Sequence, residues 1–178
     1  MNLVVIYGPP AVGKYTVGKV VAEKLGYRFV HNHLIVDCAS ALFSLGSPER
    51  AAFGWALWFM VLEEAMKRDI SLVSTFVYEK GPDDQYVKRT IDAVQRRNGT
   101  ILFVKLSCDE RVLLTRVEHA SREGTGKLSS AAELHSKLKT HDIISAIPFC
   151  VSFEIDTTKR TGIEAADLIV QHVRGLSH

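Results

Sequence analysis

The residues whose spacing most clearly implies chemistry are Gly8-Pro-Pro-Ala-Val-Gly13-Lys14, a glycine, four residues, then glycine and lysine. Glycines at both ends let the backbone curl until successive N–H groups point inward, and a helix starting at the second glycine adds the positive end of its dipole. That makes a cup for oxyanions, with Lys14 able to reach the outer phosphates and offset charge as a terminal phosphoryl group leaves. The fixed positions alone occur by chance in roughly one chain in twenty of this length, so context decides. An apolar run, Leu3 to Ile6, precedes the motif, and an alternating apolar stretch with Val17, Val20, Val21 and Leu25 follows it, the strand-to-helix placement the mechanism needs. Gly8, Pro9, Pro10, Ala11, Val12, Gly13, Lys14, Tyr15 and Thr16 are the candidate contacts to a bound nucleotide.

One position departs from the pattern. A Ser or Thr directly after the lysine would place a hydroxyl on Mg²⁺, but here Tyr15 follows, with Thr16 one step later. A tyrosine oxygen stands several ångströms further from the backbone and does not take that ligand position without moving the metal. Either water and other carboxylates hold Mg²⁺, or catalysis is weakened. Thr16 can still reach a phosphate oxygen, and is the one metal candidate, through Mg-ATP; the protein's own metal ligands stay unassigned.

The elements that must position this loop read as an alternation. Apolar or β-branched runs recur at Leu3 to Tyr7, Arg28 to Val30, Leu72 to Val77, Ile101 to Leu106 and Val151 to Ile155. Helix-period segments lie between and after them, near residues 13–25, 34–45, 48–68, 82–97, 109–120, 129–145 and 162–173. Ser47 and Ser129 supply N-caps, and Gly26 and Gly99 act as stops. Strands apolar on consecutive positions are covered on both faces, which predicts an α/β three-layer architecture around a parallel sheet.

Composition is compatible with one domain over residues 1–178: the chain is 47% hydrophobic and 24% charged, without repeat or low-complexity linker. A net charge of +2, with no run of five or six like charges, argues against nucleic-acid and membrane partners. Cys38, Cys108 and Cys150 show no metal or redox spacing and are expected to be buried thiols in a reducing compartment. The start of the chain lacks a signal-peptide pattern, and the longest uncharged apolar stretch, Ala51 to Leu62, is too short to span a bilayer, so a cytoplasmic location is expected.

With this N-terminal G-x-x-x-x-G-K, this length, and an arginine-bearing segment before the last strand, the chain resembles the P-loop small-molecule kinases. That group includes shikimate kinase, gluconate kinase, chloramphenicol phosphotransferase and the nucleoside monophosphate kinases. The resemblance covers nearly the full length and is strongest to shikimate kinase-like ATP-binding proteins. It implies a P-loop NTPase fold with five parallel strands in the order 2-3-1-4-5, a small lid near residues 116–130, and ATP as phosphoryl donor. Adenine is expected, on the resemblance, around Asp156-Thr157-Thr158.

The resemblance puts the acceptor pocket beyond the second strand, at His31-Asn-His33-Leu-Ile-Val-Asp37. Shikimate kinases carry two aspartates where His31 and His33 align, and a triple glycine where Ser74-Thr75-Phe76 stands, so both departures argue against shikimate itself. Asp37 lies four residues beyond His33, a helical spacing that lets a carboxylate and an imidazole converge on an acceptor hydroxyl and orient it or take its proton. A metal site of His31, His33 and Asp37 lacks a fourth ligand nearby. Ser74, Thr75 and Glu79 follow the third strand, on the side of a parallel sheet where ligands bind, and Glu79 or Asp37 could take the metal-water contacts that Tyr15 does not make. Arg116 and Arg122, with Lys127 beyond, match the spacing of lid basic residues that would stabilise the transferred charge.

The catalytic candidates are therefore Lys14, Arg116, Arg122 and Asp37, with His31, His33, Asp37 and Thr75 facing the acceptor. The aromatic helix with Phe53, Trp55, Trp58 and Phe59 reads chiefly as core, and as a wall of an apolar acceptor pocket if some rings face the cleft. The leading reading is a kinase acting on a small molecule, with ATP and Mg²⁺, as a monomer or homodimer. Two others stand beside it: a nucleotide-binding sensor with little turnover, which Tyr15 favours, and a polynucleotide kinase, which the lack of a basic stripe disfavours.

Overall fold

Alternate residues of the first strand, Asn2–Tyr7 (β1), go to opposite cores: Leu3, Val5 and Tyr7 to one apolar cluster, Val4 and Ile6 to another. The computed structural model, which describes residues 1–119 and 128–176, places four further strands beside it. These are Arg28–His31 (β2), Leu72–Phe76 (β3), Thr100–Ser107 (β4) and Ser152–Asp156 (β5). The helices are Lys14–Leu25 (α1), Asn32–Ser40 (α2), Pro48–Lys67 (α3), Asp84–Gln95 (α4), Glu110–Val117 (α5), Ala131–Thr140 (α6) and Gly162–Gly175 (α7). All pairings are parallel and the strand order is β2-β3-β1-β4-β5, as the sequence and its resemblance predict.

Both faces of the sheet are covered. On one, Val4, Ile6, Val104 and Leu106 pack with Val17 and Val21 of α1, Leu113 of α5, Leu134 of α6 and Ile169 of α7. On the other, Leu3, Val5 and Phe103 pack with Trp58 and Leu62 of α3 and with Val87 and Val94 of α4. This explains the consecutive apolar runs: a strand with helices on both sides has no solvent face on which to spend polar residues. No helix among the described residues is long and apolar enough to cross a membrane.

Several boundaries differ from the sequence reading. The helix expected over 34–45 starts at Asn32, because His31 ends β2 in an extended conformation and itself serves as N-cap, while the Asn32 N–H donates to Thr75 Oγ1 at 3.3 Å. It stops at Ser40, ahead of a turn that carries Gly46 at φ 82°. The helix expected over 129–145 is capped by Ser130, not Ser129: the Ser130 hydroxyl accepts from Glu133 N. That helix ends at Thr140, since His141 is extended and Asp142 accepts from both the N–H and the hydroxyl of Ser145, a local turn that competes with helix. The cysteines are free but not buried as expected: Cys38 is exposed on α2, and Cys108 and Cys150 are half-buried.

Candidate functional site

The Gly8–Lys14 segment connects β1 to α1, where its mechanism requires it. Gly8 has φ 142°, and a Cβ there would sit 2.3 Å from the carbonyl oxygen of Leu106, so no other residue fits. Ala11 adopts φ 64° without being glycine, a left-handed conformation that an L side chain holds at a cost. Gly13, also at positive φ, caps α1 with no side-chain bond, so the helix start is left to its backbone N–H groups. Val12 is buried and anchors the loop from below. The Lys14 Nζ donates to the carbonyl oxygens of Gly8 and Pro9, each at 2.7 Å.

Thr157 ties the loop to the far side of the sheet. Its buried hydroxyl lies 3.2 Å from the Val12 carbonyl and 3.0 Å from that of Ser107, and its N–H donates to Ser107 at 2.8 Å. Arg116 of α5 donates to the Thr157 hydroxyl at 3.2 Å and to its carbonyl at 2.8 Å, with a further contact to Cys108 Sγ. Arg116 thus stands one residue away from the phosphate loop. Beside it Asp156 accepts from the Thr158 N–H and hydroxyl, and these bonds hold its carboxyl below the usual range. Arg122 and Lys127, and most of the lid expected over 116–130, lie outside the described residues.

Tyr15 is spent on aromatic packing. Its ring meets Phe29 at 5.5 Å and His31 edge-on at 5.0 Å between centroids, and the series continues from His31 to His33 at 6.5 Å. Thr16 sets its methyl group against Gly162 at the start of α7. His33 and Asp37 do converge, Nδ1 to Oδ1 at 3.8 Å, on a part of α2 where Asp37 is exposed.

A cleft of about 260 Å³ opens between α2, α3, α4 and the ends of β2 and β3. The register sets Tyr7 beside Phe76 and His31 beside Thr75, so this cleft and the loop after β1 share the carboxyl edge of adjacent strands. Thr75 lines it, as expected, and so does Ser74. From α2 the lining residues are Asn32, Ile35, Val36 and Ala39, one helical stripe, whereas His33 and Asp37 form the neighbouring stripe. His31, His33, Asp37 and Glu79 are not among the lining residues.

The rings of the aromatic helix divide between the core and the cleft. Trp55 and Trp58 line the cleft while Trp58 also packs in the core, Phe59 packs under the guanidinium of Arg89 at 3.9 Å, and Phe53 meets Phe43. Two charged residues of the cleft escaped the sequence reading. Arg50 sits in the first turn of α3, and Asp83 precedes α4. The signal for Arg50 was a lone basic residue opening an otherwise apolar stretch; for Asp83 there was none, because nothing in its neighbourhood distinguishes it from Asp84.

Comparison with solved structures returns kinases over nearly the whole chain. A proposed kinase from Chloroflexus aurantiacus J-10-fl superposes with TM-score 0.70 at 20% identity, covering 98% of this chain and 97% of that one. A gluconokinase from Sinorhizobium meliloti 1021 gives TM-score 0.62 at 20% identity, covering 99% and 97%. A shikimate kinase from Acinetobacter baumannii, solved with shikimate, gives 0.56 at 18%, covering 97% and 93%. The fold is that of the P-loop kinases. Comparison with protein-family models and with curated proteins gives no match. The P-loop kinase fold accounts for the strand order and for the position of the loop after β1.

Proposed function

We propose that this protein is a kinase that transfers the γ-phosphoryl group of ATP to a small-molecule acceptor. The observation that carries the reading is the shared edge: a glycine-and-lysine loop after β1 and a cleft at the ends of β2 and β3, on adjacent strands. The loop fits a nucleotide phosphate. Its glycine approach at Gly8, the strained Ala11 and the lysine held on its own carbonyl oxygens are what an anion-binding cradle presents. Lys14 exchanges its bonds to Gly8 and Pro9 for phosphate oxygens, and backbone N–H groups at the start of α1 take the rest.

The fit to Mg²⁺ is weaker. No group of three or more His, Cys, Asp or Glu able to hold a metal occurs among the described residues, and Tyr15 is packed on Phe29 and His31. Mg²⁺ would enter with ATP and supply charge neutralisation on the phosphates, with Thr16 the nearest candidate for contact. On the acceptor side, Asp37 paired with His33 is the candidate to orient the acceptor hydroxyl and receive its proton as the new O–P bond forms and the bond to ADP breaks. Arg116, and Arg122 beyond the described residues, are the candidates to stabilise the transferred charge. Thr75 would border the acceptor, and His31, its register partner, stands beside the cleft and outside its lining. We place the activity in the cytoplasm, with a monomer or homodimer and no nucleic-acid or membrane partner.

A second reading, nucleotide binding with little transfer, is favoured by the Tyr15 packing. ADP release from Mg-ATP separates the two. A panel of sugars, cyclic hydroxy acids, nucleoside monophosphates and hydroxylated antibiotics is supplied as acceptors, with Lys14→Ala as blank. Stimulation by an acceptor supports the kinase; tight ATP binding with no stimulation across the panel supports the sensor.

A further inference from the structure

The cleft carries two opposite charges that do not neutralise each other. The Arg50 Nε is buried there without a hydrogen-bond partner among the described residues. Asp83 accepts from the Glu79 N–H through Oδ2 at 2.8 Å, and its Oδ1 has no hydrogen bond among the described residues. No ion pair among the described residues involves either side chain. Burial of Asp83, with the nearby charges of Glu79 and Asp84, pushes its carboxyl up to about 6 against the opposing hydrogen bond from the Glu79 N–H and a weaker through-space pull from Lys137. A half-buried carboxylate and a buried guanidinium N–H, neither in an ion pair among the described residues, are groups that a charged ligand completes.

The rest of the cleft mixes aromatic rings with the polar groups of Asn32, Ser74, Thr75 and Thr90. Trp55 stacks face to face on Tyr86 at 4.5 Å, which fixes its ring plane. The Trp58 indole N–H is already bonded to Thr90 Oγ1 at 3.2 Å, so this side chain offers the cleft its ring and no donor. Phe76 meets Trp55 edge-on at 6.3 Å between centroids, so with Trp58 these rings give the cleft an aromatic surface on which a ring can pack. The cleft's volume of about 260 Å³ is near the small end of ligand pockets, about 300–1,000 Å³.

We propose that the cleft binds a small ring-bearing zwitterion, its ring laid on the aromatic surface of Trp55, Trp58 and Phe76, its ammonium group on Asp83 and its anionic group on Arg50. This rests on the reading of the cleft as the acceptor site, and it adds the class of acceptor. An ammonium group supplies the cation that Asp83 lacks, and a carboxylate or phosphate accepts from the Arg50 Nε.

The test reads binding by calorimetry without nucleotide, so that its failure is separate from a failure of ADP release. Three matched probes are used: tyrosine, tyramine, which lacks the carboxylate, and para-hydroxyphenylpropionate, which lacks the amine. Tyrosine is expected to bind at least about tenfold more tightly than either truncated probe. Asp83→Asn, which retains an acceptor for the Glu79 N–H, should erase the advantage over the propionate while keeping that over tyramine; Arg50→Gln should do the reverse. Far-UV circular dichroism confirms that both variants are folded. Equal binding of the three probes, no binding by any of them, or preferences unchanged in the folded variants would overturn the assignment.

Discussion

The Nζ of Lys14 lies 2.7 Å from the carbonyl oxygen of Gly8, the residue six positions before it that opens the same loop. The side chain is thereby held over the cradle it is proposed to serve. Its charge is satisfied by dipoles that a phosphate outcompetes, since charge-assisted bonds to an ionised acceptor are about twice as strong as neutral ones. Lys14→Ala should weaken ATP binding roughly 10–100-fold, the equivalent of the ~1.5–3 kcal/mol of a hydrogen bond to a charged group. Titration calorimetry checks the affinity, and an unchanged melting temperature checks the fold. Full-strength ATP binding by the folded variant would remove the loop from the nucleotide site.

Gly8→Ala attacks the loop through the backbone. The added methyl would meet the Leu106 carbonyl at 2.3 Å, in a conformation that L residues rarely adopt. The loop must move or the strand end must open, and a loss of roughly 2–4 kcal/mol is expected by analogy with other strained or overpacked sites. Urea unfolding measures it. A variant as stable as the parent would show that Gly8 is not pinned.

Thr157→Val keeps shape and removes the hydroxyl that joins Arg116 to the Val12 and Ser107 carbonyls. The Arg116 guanidinium loses one acceptor, and a buried carbonyl loses its donor, which together cost about 1–3 kcal/mol. At roughly 2–4 °C per kcal/mol for a chain of this size, a fall of several degrees in melting temperature is expected by calorimetric scanning. ATP affinity should fall too, because Val12 belongs to the loop; a variant that loses stability without losing affinity would make Thr157 purely structural.

Asp83 gives a pH dependence with a definite sign. Its carboxyl is raised from 3.8 to about 6, so between these values the folded state binds more protons than the unfolded one. Stability therefore falls as pH rises through that window. The urea midpoint of the parent should drop, relative to Asp83→Asn, between pH 4 and about pH 6.5, where the Asn variant has no proton to lose. Parallel pH profiles for the two proteins would show that burial does not disfavour the charged form.

The loop and the sheet were legible in the sequence because each rests on local pattern. Glycine spacing needs only neighbours in the chain, and strands covered on both faces show as consecutive apolar residues such as Leu3 to Ile6 and Ile101 to Leu106. The cleft was legible only in part. Thr75 could be placed because it lies near the end of a strand, whereas His33 and Asp37, one helical turn apart, meet on the stripe of α2 beside the cleft and are not in its lining. Arg50 lies in α3 and Asp83 just before α4, and only the packing of these two helices over the sheet brings both to one cavity. The start of α2 was misplaced for a similar reason: the bond from Asn32 N to Thr75 Oγ1 spans 43 residues and leaves no local trace.

Helix α2 carries its two jobs on separate stripes, Asn32, Ile35, Val36 and Ala39 toward the cleft and the His33–Asp37 pair beside them. Exchanges among aliphatic side chains at 35, 36 and 39 change the outline of the cavity and leave the imidazole and carboxylate where they are. Mutation can therefore explore new small molecules here at constant chemistry, one conservative step at a time, and that is the kind of drift by which one scaffold diversifies into enzymes of different selectivity.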